Sequence, residues 1–368
     1  LARVQRRRTQ MMPSNLDRHG WNPERAAQLA ALGVEGLRPA RVVVEHRGAY
    51  ELQGEEGALR GEASGRLRRL AVQRRDLPAV GDWVGLRTTG LGGLAAIDAI
   101  LPRHGIVSRK ATGERAEEQV VAVNVDVLFV AMGLDANYNL RRLERAVTLA
   151  YESGARPVVL LTKSDLAGDE LLARLEETKV AAPGVPVLAI SATRDEGIAE
   201  VEAHLVAGET VALIGSSGVG KSTLLNRLCG AERQTTGPVR AEDAKGRHTT
   251  TARELVVLPG GALLVDTPGL REVQLWAEDA SVARTFTDVL AHAEACRFRD
   301  CRHDQEPGCA VRAALFTGEL APEREASHRK LVRELRHLEL RQDERARLEE
   351  ARRVRVLHRN ARRHHPRE

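Results

Sequence analysis

The run Gly215-Ser216-Ser217-Gly218-Val219-Gly220-Lys221-Ser222 constrains this chain more than any other feature, because of what flanks it. Residues 210–214 are apolar and strand-like, and residues 221–230 carry a helical pattern. A G-x-x-x-x-G-K-[ST] run between a strand and a helix reads as a phosphate-binding loop. Its glycines let the backbone turn so that N–H groups face phosphate oxygens, and the helix N-terminus adds partial positive charge. In that geometry Lys221 reaches the β- and γ-phosphates and Ser222 ligates magnesium, with Thr223 beside them.

The surrounding texture fits such a loop. From about residue 120, apolar runs alternate with helical patterns: 125–132 then 140–152, 157–162 then 169–179, and 185–191 then 196–207. After the phosphate loop come two more strand-like runs, 254–258 and 261–266. This alternation predicts a mostly parallel sheet covered by helices.

Three further motifs end strand-like runs. Thr162-Lys163-Ser164-Asp165 fits the guanine-specificity pattern [NT]-K-x-D. A carboxylate at Asp165 accepts two hydrogen bonds from guanine's Watson–Crick edge, which adenine cannot supply. Thr162 stands where Asn is commoner, so one contact from that side chain is weakened or altered. Ser191-Ala192 matches the short loop whose backbone N–H groups meet the guanine oxygen. Asp266-Thr267-Pro268-Gly269 offers a carboxylate to hold magnesium through water and a Gly269 N–H to sense the γ-phosphate. Between phosphate loop and Asp266 lies Gly246-Arg247-His248-Thr249-Thr250-Thr251, a polar loop suited to switch I. Thr250 is predicted to complete the magnesium shell, with Thr249 as its competitor.

Together these motifs predict a site for GTP and GDP, yet their order is unusual. The guanine reader and Ser-Ala precede the phosphate loop, switch I and Asp-Thr-Pro-Gly. Joining the chain ends and cutting after the last motif restores the ordinary order, so the sequence predicts a circularly permuted GTPase. Sites at strand ends depend on spatial arrangement, which permutation leaves intact.

Outside this domain the chain changes character. Residues 41–46, 80–87 and 94–101 are strand-like and closely punctuated by glycine, which suggests a small barrel or sandwich. From residue 280 the pattern is helical, and Cys296, Cys301, His303 and Cys309 form C-x4-C-x-H-x5-C. Three thiolates and one imidazole make a closed tetrahedral set for structural zinc. Cys229 reads as a packed residue. Too few cysteines for a disulfide framework place the chain in a reducing, cytoplasmic setting. No apolar run approaches the length of a membrane helix, so a soluble protein is expected, with no membrane partner. The arginines among residues 1–10 precede no apolar segment, which argues against a secretory signal, and a start at Met11 or Met12 is preferred over a transit peptide. Of 56 basic residues only six are lysine, and arginine's planar fork suits phosphate contacts, so RNA is an expected partner.

Permuted motifs, metal spacing and Pro78-Ala79-Val80-Gly81-Asp82-Trp83-Val84 together resemble the ribosome-small-subunit-dependent GTPase family, often called RsgA. The resemblance spans nearly the whole chain and implies a multidomain architecture. An N-terminal β-barrel of the OB-fold, a central α/β circularly permuted phosphate-loop GTPase and a C-terminal helical zinc-binding domain follow one another. The expected ranges are an arm at 1–38, the OB-fold at 39–112, the GTPase domain at 113–279, the zinc-binding domain at 280–340 and a basic tail at 341–368. It implies GTP hydrolysis in late maturation of the small ribosomal subunit, rRNA binding, and stimulation by the subunit. Leu270 stands where many GTPases hold the water-orienting glutamine, and His248 matches the family histidine proposed for that task. With Lys221 and Thr250 it makes up the expected catalytic set. Tyr50 and Trp83 are the only aromatics of the barrel, so arginine contacts to phosphates and folded rRNA are expected rather than base stacking. A monomer is expected. The alternative is a nucleotide-gated RNA-binding module in which hydrolysis is incidental.

Overall fold

The computed structural model describes residues 14–46, 48–87, 94–110, 118–230, 253–266 and 279–342. The chain divides into two compact units, Leu1–Gln274 and Leu275–Glu368.

The first unit begins with two short helices in what reads as a polar arm. For α1 (Asn15–Arg18), Ser14 and Asp17 form a reciprocal capping box. Asn22 caps α2 (Pro23–Ala31), which opens on a proline whose missing N–H costs nothing there. Leu16 and Trp21 from this segment pack with Trp83 and Leu101, and Trp83 is only 1% exposed. Trp83 is therefore core, and Tyr50 is buried as well. Neither barrel aromatic offers a free face to a nucleobase.

Five strands follow: β1 (Arg38–Glu45), β2 (Tyr50–Gly54), β3 (Gly57–Ala63), β4 (Trp83–Arg87) and β5 (Ala95–Ile100), with helix α3 (Gly65–Leu70) between β3 and β4. They pair in the order β1-β2-β3-β5-β4, and β4 returns to β1, so the sheet closes into a barrel. Strand alternation turns Val42, Leu52, Val84, Leu86 and Ile97 into its core. A hairpin of β6 (Ile106–Lys110) and β7 (Glu118–Val123) follows, and the boundary expected at 112/113 falls between its strands.

The nucleotide-binding sheet is then built by repeated strand–helix units. β8 (Val127–Gly133), α4 (Leu140–Glu152), β9 (Arg156–Thr162), α5 (Leu171–Ala181), β10 (Val187–Ile190), α6 (Ile198–Glu202), β11 (Thr210–Ile214) and α7 (Lys221–Cys229) alternate along the chain. β12 (Glu254–Val257) and β13 (Leu263–Asp266) complete it. The spatial order is β10-β9-β8-β11-β13-β12, with all but β12 parallel. Val127, Phe129, Leu160, Val211 and Leu213 meet α6 and α7 on one face. The alternate residues lie toward the face that carries α4, whose Leu143, Val147 and Ala150 are buried. Helix α6 is shorter than the periodicity of 196–207 predicts, because Gly197 enters it at φ 72° and Ala203 caps it.

Barrel and nucleotide-binding sheet are continuous. β12 pairs antiparallel with β1 at Val44 and Glu254, giving one sheet of 11 strands. Buried Arg41 reinforces the junction: its guanidinium donates to the His19 carbonyl and, at 2.6 Å, to Thr210 Oγ1 at the start of β11. Burial lowers the Arg41 pKa to about 10, which still leaves it charged at neutral pH.

The second unit contains α8 (Asp279–Thr285), α9 (Thr287–Glu294), α10 (Ala310–Thr317) and α11 (Pro322–Gln342). Its core is small: Val282, Phe286, Val289, Val311, Leu331 and Leu335 are buried. Arg324, 6% exposed, forks onto Asp288 at 2.9 Å and bonds the Thr285 carbonyl. So little buried apolar surface among the described residues leaves room for a second support in this unit. Among the described residues no helix is long and apolar enough to cross a membrane.

Candidate functional site

Strands β10, β9, β8, β11 and β13 run parallel, so all five release their chains at one edge. That edge receives Ser191-Ala192, Thr162–Asp165, the phosphate loop and Asp266 in spatial sequence, although β11 is the fourth of the five along the chain. With about 4.8 Å between neighbouring strands, β9 and β11 lie about 10 Å apart, the scale of a nucleotide. A cavity of about 250 Å³ opens between the ends of β9 and β10 and the start of α7, lined by Asp165, Ser191 and Ala192 on one side and Gly220 and Thr223 on the other.

On the phosphate side, the loop leaves β11 through Gly215. A Cβ there would stand 2.5 Å from the Ala131 carbonyl oxygen, so no larger residue fits against β8. Lys221 opens α7, and its Nζ curls back to donate to the carbonyls of Gly215 at 2.7 Å and Ser216 at 2.6 Å. Ser222 and Thr223 follow in the first turn, half-buried. Asp266 ends β13, beside β11.

On the base side, Thr162 is 4% exposed, and its Oγ1 lies 2.6 Å from the Val219 carbonyl and 3.2 Å from that of Met132. The residue in the commoner Asn position thus fastens the guanine reader to the phosphate loop. Lys163 adopts a left-handed backbone, φ 59°, and its Nζ lies 2.6 Å from Asp135 Oδ2. Asp135 was not among the residues expected from sequence. Its only sequence signal is position, just beyond the end of β8, the central parallel strand without a motif. Burial disfavours its ionised form, but the Lys163 ammonium and the Asn137 N–H outweigh burial and hold its carboxyl below the usual range. Asp165 is half-buried against the cavity, and among the described residues its carboxylate has no hydrogen-bond partner.

The Ser-Ala turn is closed on itself. Ser191 N–H donates to Glu196 O and Glu196 N–H returns to Ser191 O, at 3.0 and 3.1 Å. Gly197 must be glycine, since a Cβ would stand 2.4 Å from Ala189 O at a φ of 72°. Arg227 on α7 grips Asp195 of the same turn with two bonds of 2.6 and 2.7 Å. The expected switch I residues, His248, Thr249 and Thr250 among them, lie outside the described residues, as do Gly269 and Leu270.

The second unit carries a separate centre. The donor atoms of Cys296, Cys301, His303 and Cys309 all lie within 4.8 Å of one another. Cys296 and Cys309 Sγ are 3.9 Å apart, and His303 Nδ1 is 3.6 and 3.5 Å from them. Tetrahedral zinc with its usual bond lengths places sulfurs about 3.8 Å apart and sulfur and nitrogen about 3.5 Å apart. A disulfide would need about 2.05 Å. The spacing is that of a metal cage. His303 reaches it from a left-handed conformation, φ 60°. Glu306 fastens the loop below by accepting its own N–H and those of Arg302, Asp304 and Gln305, which lowers its pKa to about 2.

Parallel strand ends visited in scrambled order, a glycine-rich loop opening a helix, and a carboxylate aimed across the same cavity define a circularly permuted phosphate-loop GTPase. The profile of the RsgA GTPase family matches residues 100–276. The small ribosomal subunit biogenesis GTPase RsgA of Opitutus terrae is 49% identical over 324 residues, spanning 86% of this chain and 88% of its own. That of Syntrophotalea carbinolica is 44% identical over 357 residues, 95% and 97% of the two chains. This chain belongs to the RsgA GTPase family. The crystal structure of YjeQ from Thermotoga maritima superposes with a TM-score of 0.61 at 25% identity, covering 81% of this chain and 98% of that one. YloQ, a circularly permuted GTPase, shares the fold at a TM-score of 0.60 and 22% identity, over 82% and 96% of the chains.

Proposed function

We propose that this chain hydrolyses GTP to GDP and phosphate with magnesium, acting in the cytoplasm as a monomer during late maturation of the small ribosomal subunit. It binds the subunit's rRNA and is stimulated by the subunit. The observation that carries this reading is the single cavity in which Asp165 and Ala192 face Gly220 and Thr223, in a chain so similar to small ribosomal subunit biogenesis GTPases.

The base enters against Asp165, Ser191 and Ala192, with the Lys163 stem alongside and Ser164 in the supporting turn. The N–H groups of 215–223 receive the phosphates, and Lys221 exchanges the Gly215 and Ser216 carbonyls for phosphate oxygens. Ser222, Thr250 and Asp266 hold magnesium, which when bound neutralises charge on the β- and γ-phosphate oxygens. Gly269 senses the γ-phosphate, and His248 orients water where Leu270 cannot. The Cys296, Cys301, His303 and Cys309 cage holds one zinc, leaves no open position, and so stabilises the fold. The five ranges 1–38, 39–112, 113–279, 280–340 and 341–368 serve as arm, barrel, GTPase, zinc-binding domain and basic tail, with arginines of the barrel and zinc-binding domain meeting rRNA phosphates.

Multiple-turnover GTP hydrolysis with and without purified small subunits, wild type beside Lys221→Ala, tests the reading. Subunits should accelerate the wild type, and the variant should fall by about a hundredfold or more. Turnover indifferent both to subunits and to Lys221 would overturn it. Nucleotide-dependent subunit binding without stimulated turnover would instead favour a nucleotide-gated RNA-binding module.

A further inference from the structure

The base pocket departs from the commoner pattern at one residue, and the departure changes what can be read. A hydroxyl carries one proton, whereas the amide of Asn carries two. Thr162 Oγ1 lies 2.6 Å from Val219 O and 3.2 Å from Met132 O, both acceptors, in a site 4% exposed. Its single proton is committed to the phosphate-loop side. Guanine N7 is an acceptor only, so the oxygen of Thr162 has nothing to offer it. Nearby, Asp135 draws the Lys163 ammonium to itself by one of its three protons, at 2.6 Å, and the Ser191 and Thr193 hydroxyls share one hydrogen bond of 3.1 Å.

The geometry points to a guanine reader that uses the Watson–Crick edge alone. Asp165 takes N1–H and the N2 amine, the backbone of the 191–193 turn takes O6, and N7 goes unread. Thr162 is a specificity-determining residue by omission: it joins the two halves of the pocket but does not inspect the base. Asp135 is a positioning residue that draws the Lys163 ammonium toward β8 and away from the purine's Hoogsteen edge. The inference rests on the proposed GTP site and deepens it.

Competition against a fluorescent GDP, using GTP, 7-deaza-GTP and inosine triphosphate, tests it. 7-Deaza-GTP, in which a C–H replaces N7, should match GTP within about twofold, because no hydrogen bond is lost. Inosine triphosphate lacks the N2 amine and should bind about ten- to a hundredfold more weakly, since Asp165 loses one of two charge-assisted partners. In Thr162→Asn the second amide proton should create discrimination, with 7-deaza-GTP about five- to tenfold weaker than GTP. A wild type that already rejects 7-deaza-GTP tenfold while binding GTP would overturn the inference and leave the GTP site standing. Failure to bind GTP at all would instead sink the functional proposal beneath it.

Discussion

The two halves of the nucleotide cavity are held in different ways. On the base side, partners come from other elements: Val219 for Thr162, Asp135 for Lys163, Arg227 for Asp195. On the phosphate side, Lys221 is satisfied by carbonyls of its own loop. Under the proposed reading the first half receives guanine without rearranging, because its polar groups keep their present bonds. The second must surrender two hydrogen bonds to gain phosphate contacts. Base affinity should therefore respond to removal of single contacts within the frame, and phosphate affinity to the exchange made by one lysine.

The sharpest way to break this contrast is Asp165→Asn. Asp165 lines the cavity, and among the described residues its carboxylate holds no hydrogen-bond partner, so it is available to a ligand. An amide sets its NH2 donor against one of guanine's two donors, and a site built for those bonds loses about a hundredfold or more in GTP affinity. Xanthosine triphosphate, which offers an acceptor in place of the N2 amine, should recover binding. Unchanged GTP affinity by equilibrium titration would place the base elsewhere.

Thr162→Val is the next test, since it keeps shape and removes the hydroxyl. A buried carbonyl loses its donor, and stability should fall by about 1–2 kcal/mol, read as a lower midpoint in denaturant. GTP and 7-deaza-GTP should weaken equally, because the loss is to the frame and not to the base. Asp135→Asn should act more weakly, about two- to fivefold on nucleotide affinity, as expected for a partly exposed ion pair. Its pH dependence has a definite sign. The folded carboxyl lies below its ordinary value, so the contact is complete above about pH 4 and is lost only as pH falls through the depressed folded value. The difference between wild type and Asp135→Asn should stay constant from about pH 5 to 8.

What the chain reveals before folding follows from where its chemistry sits. The strand-end positions of residues 215–222, 162–165 and Asp266 are legible because each sits at or just past the end of an apolar run, and their residue types are those proposed above to meet phosphate, guanine and magnesium. The cage of Cys296, Cys301, His303 and Cys309 is legible from spacing alone. Asp135 is not, since its role depends on β8 lying next to β9, a fact of sheet order. Thr162's bond to Val219 is invisible for the same reason: 57 residues separate partners that the sheet brings together. Helix α2 was within reach, because Asn22-Pro23-Glu24 is a cap, an N1 proline and a first-turn acid. The arm's scattered polar residues masked it, and the partners that hold it, Trp83 and Leu101 in the cluster and Pro102 for Arg25, lie far along the chain.

The smallest expected effect belongs to Arg227→Ala, and its smallness is informative. Arg227 and Asp195 make two short bonds, yet both side chains are about half exposed, at 46% and 57%. Solvent-exposed ion pairs contribute little, because water and salt screen them and ordering two side chains opposes them. The Ser-Ala turn has its own closure through Ser191 and Glu196, so losing the arginine leaves Ala192 in place. GTP affinity should change by less than about twofold, and raising salt on the wild type should reproduce that change. A tenfold loss would mean that α7, and with it the phosphate loop, sets the position of the base-binding turn, and the two halves of the cavity would then have to be treated as one.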